Sequence, residues 1–133
     1  MKFNGTIRDV EEKDLAEIKD IYSLHYINPV DSEYFTTRVQ EYLEKSPLAK
    51  DARFQYLVAE RNGVVIGMIG FRDPTKYFYK FSETQKPVEL YSLFVKNRAE
   101  GIGKALVERM TQIVTKMGYT EIVVFSHETW KES

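Results

Sequence analysis

The sequence predicts a single α/β domain built on a mixed β-sheet, and three observations lead to that fold class. Two β-rich runs flank Asn62-Gly63, a dipeptide typical of two-residue hairpin turns, so an antiparallel pair of strands is expected. Residues 88–95, 101–117 and 119–126 have the patterns of a strand, a helix and a strand, which together predict a βαβ unit with parallel strands. A length of 133 residues fits one domain spanning 1–133.

An initial strand and two helices are predicted ahead of the hairpin. Residues 3–10 alternate weakly and indicate a short strand. Residues 11–25 carry apolar side chains at helical spacing after an acidic opening turn, which predicts the first helix. Asn28-Pro29 ends that helix, Asp31-Ser32 offers caps for the second helix, and Pro47 closes it.

The hairpin itself is the clearest local signal, with strands predicted at residues 54–61 and 64–71. Gly67 and Gly70 in its second strand indicate a bulge or a close backbone approach, with tolerated surface glycines as the alternative. The connection at 73–86 lacks a clean period and holds four aromatic residues, Tyr77, Phe78, Tyr79 and Phe81. These rings are expected to pack back on the sheet; the alternatives are a substrate wall or a dimer contact.

The βαβ helix at 101–117 is amphipathic, and Gly118 follows it where a left-handed residue commonly ends a helix. One antiparallel half followed by one parallel unit favours a mixed sheet.

Composition excludes several classes of chemistry. The 19 Lys and Arg residues against 20 Asp and Glu give a net charge of −1, so no bulk attraction to nucleic acid or an anionic membrane is expected. No long apolar run or signal segment is evident, which favours a soluble protein of the cytoplasm. The absence of cysteine excludes disulfides and thiol nucleophiles, and two separated histidines make a metal site improbable.

The segment between the strand at 88–95 and the following helix predicts an anion site. Its glycines allow close approach of a ligand, and the helix N-terminus offers unpaired N–H groups and a positive dipole end. Lys96, Arg98 and Lys104 add positive charge, so phosphate or pyrophosphate is the expected guest. Arg98 and Ala105 depart from the Walker A pattern, and Leu106 departs from the dinucleotide fingerprint.

What remains is the pattern Arg98-x-x-Gly101-x-Gly103 directly after a strand that ends in Leu93-Phe94-Val95. With this pattern and this order of elements, the sequence resembles the GNAT family of acyl-CoA-dependent N-acyltransferases. The opening Ile7-Arg8-Asp9-Val10 is also similar to the start of that family, so the resemblance covers essentially the whole chain.

The resemblance implies acetyl-CoA as co-substrate, with no metal. It implies that backbone amides hold the coenzyme A pyrophosphate, and that these belong to Arg98, Ala99, Glu100, Gly101, Ile102, Gly103 and Lys104. Phe94 and Val95 would pair their backbone with the pantetheine arm, and a bulge near Leu93-Phe94 would direct one N–H at the thioester carbonyl. The alternative is an ordinary strand, loop and helix that bind nothing.

Glu89 is the candidate catalytic base, because it lies six residues before Val95, where histone-acetylating members of the family carry their glutamate. An attacking amine must lose a proton, which makes a base useful. Strand alternation predicts Glu89, Tyr91, Leu93 and Val95 on one face. The alternative for Glu89 is a solvated carboxylate at the strand end, and for Tyr91 a core position is favoured. Of the remaining candidates, none is expected to be catalytic: His25, Ser126 and His127.

The end of the sequence departs from the family. The family usually protonates the leaving thiolate with a tyrosine on a helix after its fifth strand, and no residue here matches it. The chain therefore resembles a member that lacks the last helix and β-hairpin, either a truncated product or a divergent form. The apolar run 122–125 would leave an open sheet edge, which predicts a homodimer or a strand-exchanged oligomer.

The function that the resemblance implies is acetyl transfer from acetyl-CoA to a primary amine by direct attack in a ternary complex. The acceptor would be a small molecule or a peptide, and nothing in the sequence specifies which. Two alternatives stay open: a catalytically silent acyl-CoA-binding or interaction module, and a structural domain whose glycine loop binds nothing.

Overall fold

The computed structural model describes residues 3–25, 28–51, 53–74, 86–97 and 100–124. The elements in chain order are β1 (Thr6–Asp9), a 3-10 turn (Glu12–Asp14), α1 (Leu15–His25), α2 (Pro29–Leu43), α3 (Pro47–Asp51), β2 (Gln55–Arg61), β3 (Val64–Arg72), β4 (Pro87–Val95), α4 (Ile102–Lys116) and β5 (Glu121–Val124). Within these ranges, no helix is long and apolar enough to cross a membrane.

The described strands form one sheet in the order β1-β2-β3-β4-β5. Neighbouring strands from β1 to β4 are antiparallel, and β5 runs parallel to β4. The predicted mixed sheet, the hairpin and the parallel βαβ unit are thereby confirmed. Asn62 and Gly63 both have positive φ, as a two-residue hairpin turn requires, and Gly118 has the predicted left-handed backbone.

Two apolar cores cover the two faces of the sheet. On one face α1 and α2 bury Ile18, Ile21 and Val39 against β2 and β3. On the other face α4 buries one residue per turn, namely Ile102, Leu106, Met110 and Val114. This spacing of four residues places the side chains in a single stripe of the helix, so one helix covers that face of the sheet.

The start of α2 differs from its prediction. Asn28 is the N-cap, its side chain accepts a hydrogen bond from the Val30 N–H at 3.0 Å, and Pro29 occupies the first helical position. Asp31 and Ser32, the predicted caps, lie inside the helix. Proline fixes φ at a helical value and has no N–H to leave unpaired, so Asn28-Pro29 starts a helix as readily as it ends one.

Pro47 likewise begins an element that the sequence did not predict. It is the first residue of α3, and the Ser46 hydroxyl accepts a hydrogen bond from the Ala49 N–H at 3.3 Å. The prediction treated Pro47 only as the end of α2. Here too, a proline that stops one helix pre-organises the first turn of the next.

Gly67 and Gly70 allow close approach between layers, which was one of the alternatives left open. A Cβ atom at Gly67 would lie 2.8 Å from the Ile102 Cγ2 atom of α4. On the opposite face, a Cβ atom at Gly70 would lie 2.5 Å from the Tyr56 ring. Each glycine therefore makes room for a buried side chain, and neither is a tolerated surface residue.

A partly buried ion-pair cluster ties β1 to the 3-10 turn and to β2. Arg8 forms two hydrogen bonds to the Asp14 carboxylate, at 2.8 and 2.9 Å, and its Nε bonds Glu60 at 2.6 Å. Burial would raise the pKa of Asp14, but the bonds from Arg8 and from the Glu11 N–H outweigh burial and lower that pKa. Asp14 is therefore ionised in the folded protein at neutral pH.

Several predictions fall on parts of the chain outside the description. The aromatic residues Tyr77, Phe78, Tyr79 and Phe81 lie outside the described residues. So do Ser126 and His127, and with them the last two residues of the predicted strand at 119–126.

Candidate functional site

The candidate site lies where β4 continues beyond its pairing with β5. The parallel ladder joins Pro87–Leu90 of β4 to Glu121–Val124, and Leu90 with Val124 is its last described pair. Residues 92–95 of β4 pair with β3 on one side only within the described part of the chain. Their other edge, which none of the described strands covers, is the candidate place for backbone contacts with a ligand.

A β-bulge at Tyr91 marks the point where the ladder with β5 ends. Ser92 pairs with Gly70 and Leu90 pairs with Phe71, so Tyr91 is the extra residue. The bulge predicted near Leu93-Phe94 is thus two residues too late, because Leu93 and Phe94 pair regularly with β3. The position of the bulge is set by the pairing with β3, because the register shifts between Gly70 and Phe71 of that strand.

The bulge also overturns the prediction that Glu89, Tyr91, Leu93 and Val95 share one face. Tyr91 packs against the core of α1 and α2, whereas Leu93 and Val95 pack against the core of α4. One extra residue reverses the alternation of side chains along the rest of the strand. Glu89 stays on the side of Tyr91, since both contact Arg72.

Two glycines open α4, and the fold explains only one of them. Gly101 is the N-cap with φ of 74°, a left-handed conformation that other residues adopt only with strain. Gly103 lies inside the helix, and a Cβ atom there would meet nothing within 4 Å. Glycine inside a helix is destabilising relative to alanine, so the protein's own packing gives no reason for Gly103.

The residues at the end of β4 and the start of α4 supply positive charge and N–H groups to the candidate site. The first intrahelical bond runs from the Ala105 N–H to Gly101, so the preceding N–H groups have no acceptor within the helix. Lys104 is exposed and Lys96 is half-buried. Ile102 points its side chain into the core and can offer a ligand only its backbone. Arg98 and Ala99 lie outside the described residues.

Glu100 directs its carboxylate away from solvent. Its Oε1 atom accepts from Arg61 at 3.2 Å, and its Oε2 atom is buried without a hydrogen-bond partner. Glu100 can therefore supply the predicted backbone amide to an anion site, but its carboxylate adds a negative charge close to that site.

His25 reaches the open edge of β4, which the sequence analysis did not expect. Its Nε2 lies 3.1 Å from the Val95 carbonyl oxygen, and its ring centroid lies 4.9 Å from that of Phe94. Because a carbonyl only accepts, Nε2 is the donor in this contact. The signal was present: His25 continues the stripe of Ile18 and Ile21 that faces the sheet.

Glu89 is neither solvated nor free. It is 4% exposed, and its carboxylate accepts from Arg72 at 3.1 and 3.5 Å. The Arg72 guanidinium also lies 4.3 Å from the centroid of the Tyr91 ring. The solvated alternative for Glu89 is therefore wrong, and the carboxylate would have to act from within this ion pair.

Tyrosines line the α1/α2 side of the bulge. The Tyr22 hydroxyl lies 3.4 Å from the Ser92 hydroxyl, and the buried Tyr56 hydroxyl has no hydrogen-bond partner. Burial raises the pKa of Tyr56 and of Tyr91, so both remain protonated at neutral pH. Tyr91 packs against Phe54 at a centroid distance of 5.2 Å, which agrees with the favoured core position.

A mixed sheet with a bulged, half-open fourth strand beside a glycine-initiated helix defines this protein as one with the acyl-CoA N-acyltransferase fold. The family model described as Acetyltransferase (GNAT) family matches residues 15–131. The chain belongs to the GNAT acetyltransferase family. Among curated proteins, a search finds no match.

Solved structures agree with this assignment. A GNAT acetyltransferase from Desulfovibrio desulfuricans is 16% identical with a TM-score of 0.76, covering 96% of this chain and 78% of that one. YncA from Salmonella typhimurium, solved with acetyl-CoA, is 27% identical with a TM-score of 0.66, covering 91% of this chain and 69% of that one. AAC(6')-Iy, solved with a bisubstrate analogue of coenzyme A and acetylneamine, is 18% identical with a TM-score of 0.72, covering 94% and 81%.

Proposed function

We propose that this protein transfers an acetyl group from acetyl-CoA to a primary amine by direct attack in a ternary complex. The observation that carries the proposal is Gly103, a helical glycine whose missing side chain would touch no protein atom. Its absence leaves the helix N-terminus open to a ligand that approaches the backbone. Membership in the GNAT family and neighbours solved with coenzyme A compounds support acetyl-CoA as that ligand.

The first turn of α4 would hold the pyrophosphate. The N–H groups of Ile102, Gly103 and Lys104 lack intrahelical acceptors, and the helix dipole places partial positive charge at the same point. The Lys104 side chain is exposed on the first turn and adds a full charge. The pyrophosphate would accept hydrogen bonds from these N–H groups. In this proposal the amides of Arg98, Ala99, Glu100 and Gly101 would complete the cradle.

The open edge of β4 would hold the pantetheine arm. The Lys96 N–H donates to the Ile66 carbonyl oxygen of β3 at 2.9 Å, so the backbone polar groups of Lys96 face β3. The N–H and C=O groups of successive residues in a strand point to opposite edges. Because the register from Ser92 to Val95 is regular, the backbone groups of Leu93 and Val95 point to the open edge. The backbone groups of Phe94 point toward β3. The Val95 carbonyl has two lone pairs, so it can accept from a ligand amide as well as from His25.

The chemistry needs one polarised carbonyl and one proton acceptor. The free amine would attack the thioester carbonyl of acetyl-CoA, the C–S bond would break as the amide forms, and the coenzyme A thiolate would leave and take up the proton that the attacking nitrogen loses. The Leu93 N–H on the open edge would stabilise negative charge on the thioester oxygen, a contribution of roughly 10²–10³ in rate for donors of this kind. Glu89 would accept the proton of the acceptor ammonium, through water, once Arg72 shares or releases the carboxylate.

The acceptor in this proposal is a small amine or a peptide amine, bound on the α1/α2 side of the bulge. AAC(6')-Iy is bound to an analogue that joins coenzyme A to an acetylated neamine, which supports a small-molecule amine. Of the three tyrosines on this side of β4, Tyr22 and Tyr56 are fully buried, so Tyr91, which is partly exposed, is the one that would meet the acceptor.

A second candidate is an acyl-CoA-binding module without turnover. The Arg72–Glu89 ion pair favours it, because the guanidinium already occupies the carboxylate oxygens that would have to accept a proton. Calorimetric titration with acetyl-CoA, followed by thiol release across a panel of amines, distinguishes the candidates. Binding with turnover supports the transferase, binding without turnover supports the module, and no binding contradicts both.

A further inference from the structure

We propose that Arg61 is a positioning residue that neutralises Glu100, so that the N-terminus of α4 can accept an anion. This inference rests on the proposed binding of coenzyme A at the first turn of α4. Arg61 is the last residue of β2, beside the hairpin turn, and Glu100 lies 39 residues further along the chain. The hairpin would thereby set the charge of a site to which it contributes no ligand.

The two side chains form a partly buried ion pair. The Arg61 Nη2 atom lies 3.2 Å from the Glu100 Oε1 atom, and the side chains are 34% and 29% exposed. The second carboxylate oxygen, Oε2, is buried and has no hydrogen-bond partner. Arg61 is thus the cation paired with Glu100 among the described residues, and its loss would leave a half-buried carboxylate unpaired.

The position of Glu100 makes that loss harmful to anion binding. Glu100 immediately precedes Gly101, the N-cap of α4. A free carboxylate at this point would repel a phosphate and would compete with it for the N–H groups and the positive end of the helix dipole. Pairing with Arg61 cancels the charge and keeps the carboxylate turned toward the hairpin, which leaves the N–H groups to the ligand.

The test compares Arg61→Ala, Glu100→Gln and the double variant by calorimetric titration with coenzyme A and with pantetheine, which lacks phosphates. We expect Arg61→Ala to weaken coenzyme A binding about tenfold at low salt, and less at high salt. The double variant should bind nearly as wild type, because no carboxylate remains to be neutralised. Pantetheine affinity should be the same in all variants.

Arg38→Ala is the matched control, since Arg38 forms an ion pair of similar exposure with Glu41 on α2, and it should leave coenzyme A affinity unchanged. Glu100→Gln alone keeps the proposal testable if Arg61→Ala folds poorly, and it should bind coenzyme A as tightly as wild type or a few-fold tighter.

Three results would overturn the inference alone: wild-type affinity in Arg61→Ala, a double variant as weak as Arg61→Ala, or weaker binding in Glu100→Gln. Failure of the wild-type protein to bind coenzyme A would instead overturn the proposed function, and the inference with it.

Discussion

Substitution of Gly103 should separate the stability of the protein from its affinity for acetyl-CoA. A Cβ atom at this position meets no protein atom within 4 Å, and Gly103 is the second residue of α4. Gly103→Ala should therefore stabilise the fold by about 0.5 kcal/mol through the helix propensity of alanine. A thermal midpoint about 2 °C higher is expected for a domain of this size. The same methyl group should weaken acetyl-CoA binding, because it occupies the space for close approach.

Gly103→Glu adds a negative charge to the same place. At an effective dielectric constant of about 20, unit charges about 4–8 Å apart repel by roughly 2–4 kcal/mol. The dissociation constant should therefore rise by roughly 30-fold or more. Calorimetric titration measures the affinity, and the thermal midpoint shows whether the variant is folded.

Gln112→Glu is the matched control for charge, because it adds the same negative charge on an exposed turn of the same helix. It lies about 13 Å further along the helix axis, where repulsion is largely screened. Acetyl-CoA affinity should be unchanged in this variant. A folded Gly103→Glu protein that binds acetyl-CoA as tightly as Gln112→Glu would refute the placement of the pyrophosphate at α4.

Three further predictions concern the base, the packing and the pH dependence. Glu89→Gln should lower the rate of thiol release at least about tenfold at pH 7 while acetyl-CoA affinity stays intact. The loss of rate should shrink as pH rises, because free amine accumulates. Wild-type turnover at pH 7 would leave Glu89 a structural residue. Gly70→Ala should destabilise the fold by about 1–3 kcal/mol by calorimetry, because its Cβ atom would lie 2.5 Å from the Tyr56 ring, and an unchanged midpoint would contradict this packing. Asp14→Asn should cost about 2 kcal/mol at neutral pH, because Arg8 loses two charge-assisted hydrogen bonds and keeps its ion pairs with Glu60 and Glu11. Since folding lowers the pKa of Asp14 from 3.8, that difference should be complete above about pH 4 and disappear as pH falls through the lowered pKa; a constant difference in denaturant unfolding down to low pH would count against it.

Local patterns in the sequence were sufficient for most of the fold. The hairpin was predictable because Asn62-Gly63 determines its own turn, and α4 because its stripe repeats over four turns. Asn28-Pro29 was ambiguous, since the same dipeptide favours the end of one helix and the start of another. The bulge at Tyr91 depends on the register with β3, which no pattern within β4 records.

The candidate site was predictable only where a contiguous motif describes it. The contacts of Leu93, Val95 and residues 101–104 with acetyl-CoA remain predictions. The predicted pairing of the Phe94 backbone with the pantetheine arm is wrong, because that backbone faces β3. The contact of His25 with Val95 and the pair of Arg61 with Glu100 join residues 70 and 39 positions apart, so they follow from tertiary packing alone. Cytoplasmic location and self-association through the β5 edge also stay predictions, the latter measurable by light scattering.

The bulge at Tyr91 divides β4 into two halves that evolution and protein engineering can treat separately. Residues 87–90 are held between two neighbouring strands, so substitutions there are expected to change folding first. Among the described residues, 92–95 pair only with β3, so substitutions there leave the ladder with β5 intact. Ser92 is buried, and Leu93 and Val95 pack against the core of α4, so a variant library in this half has to conserve that packing.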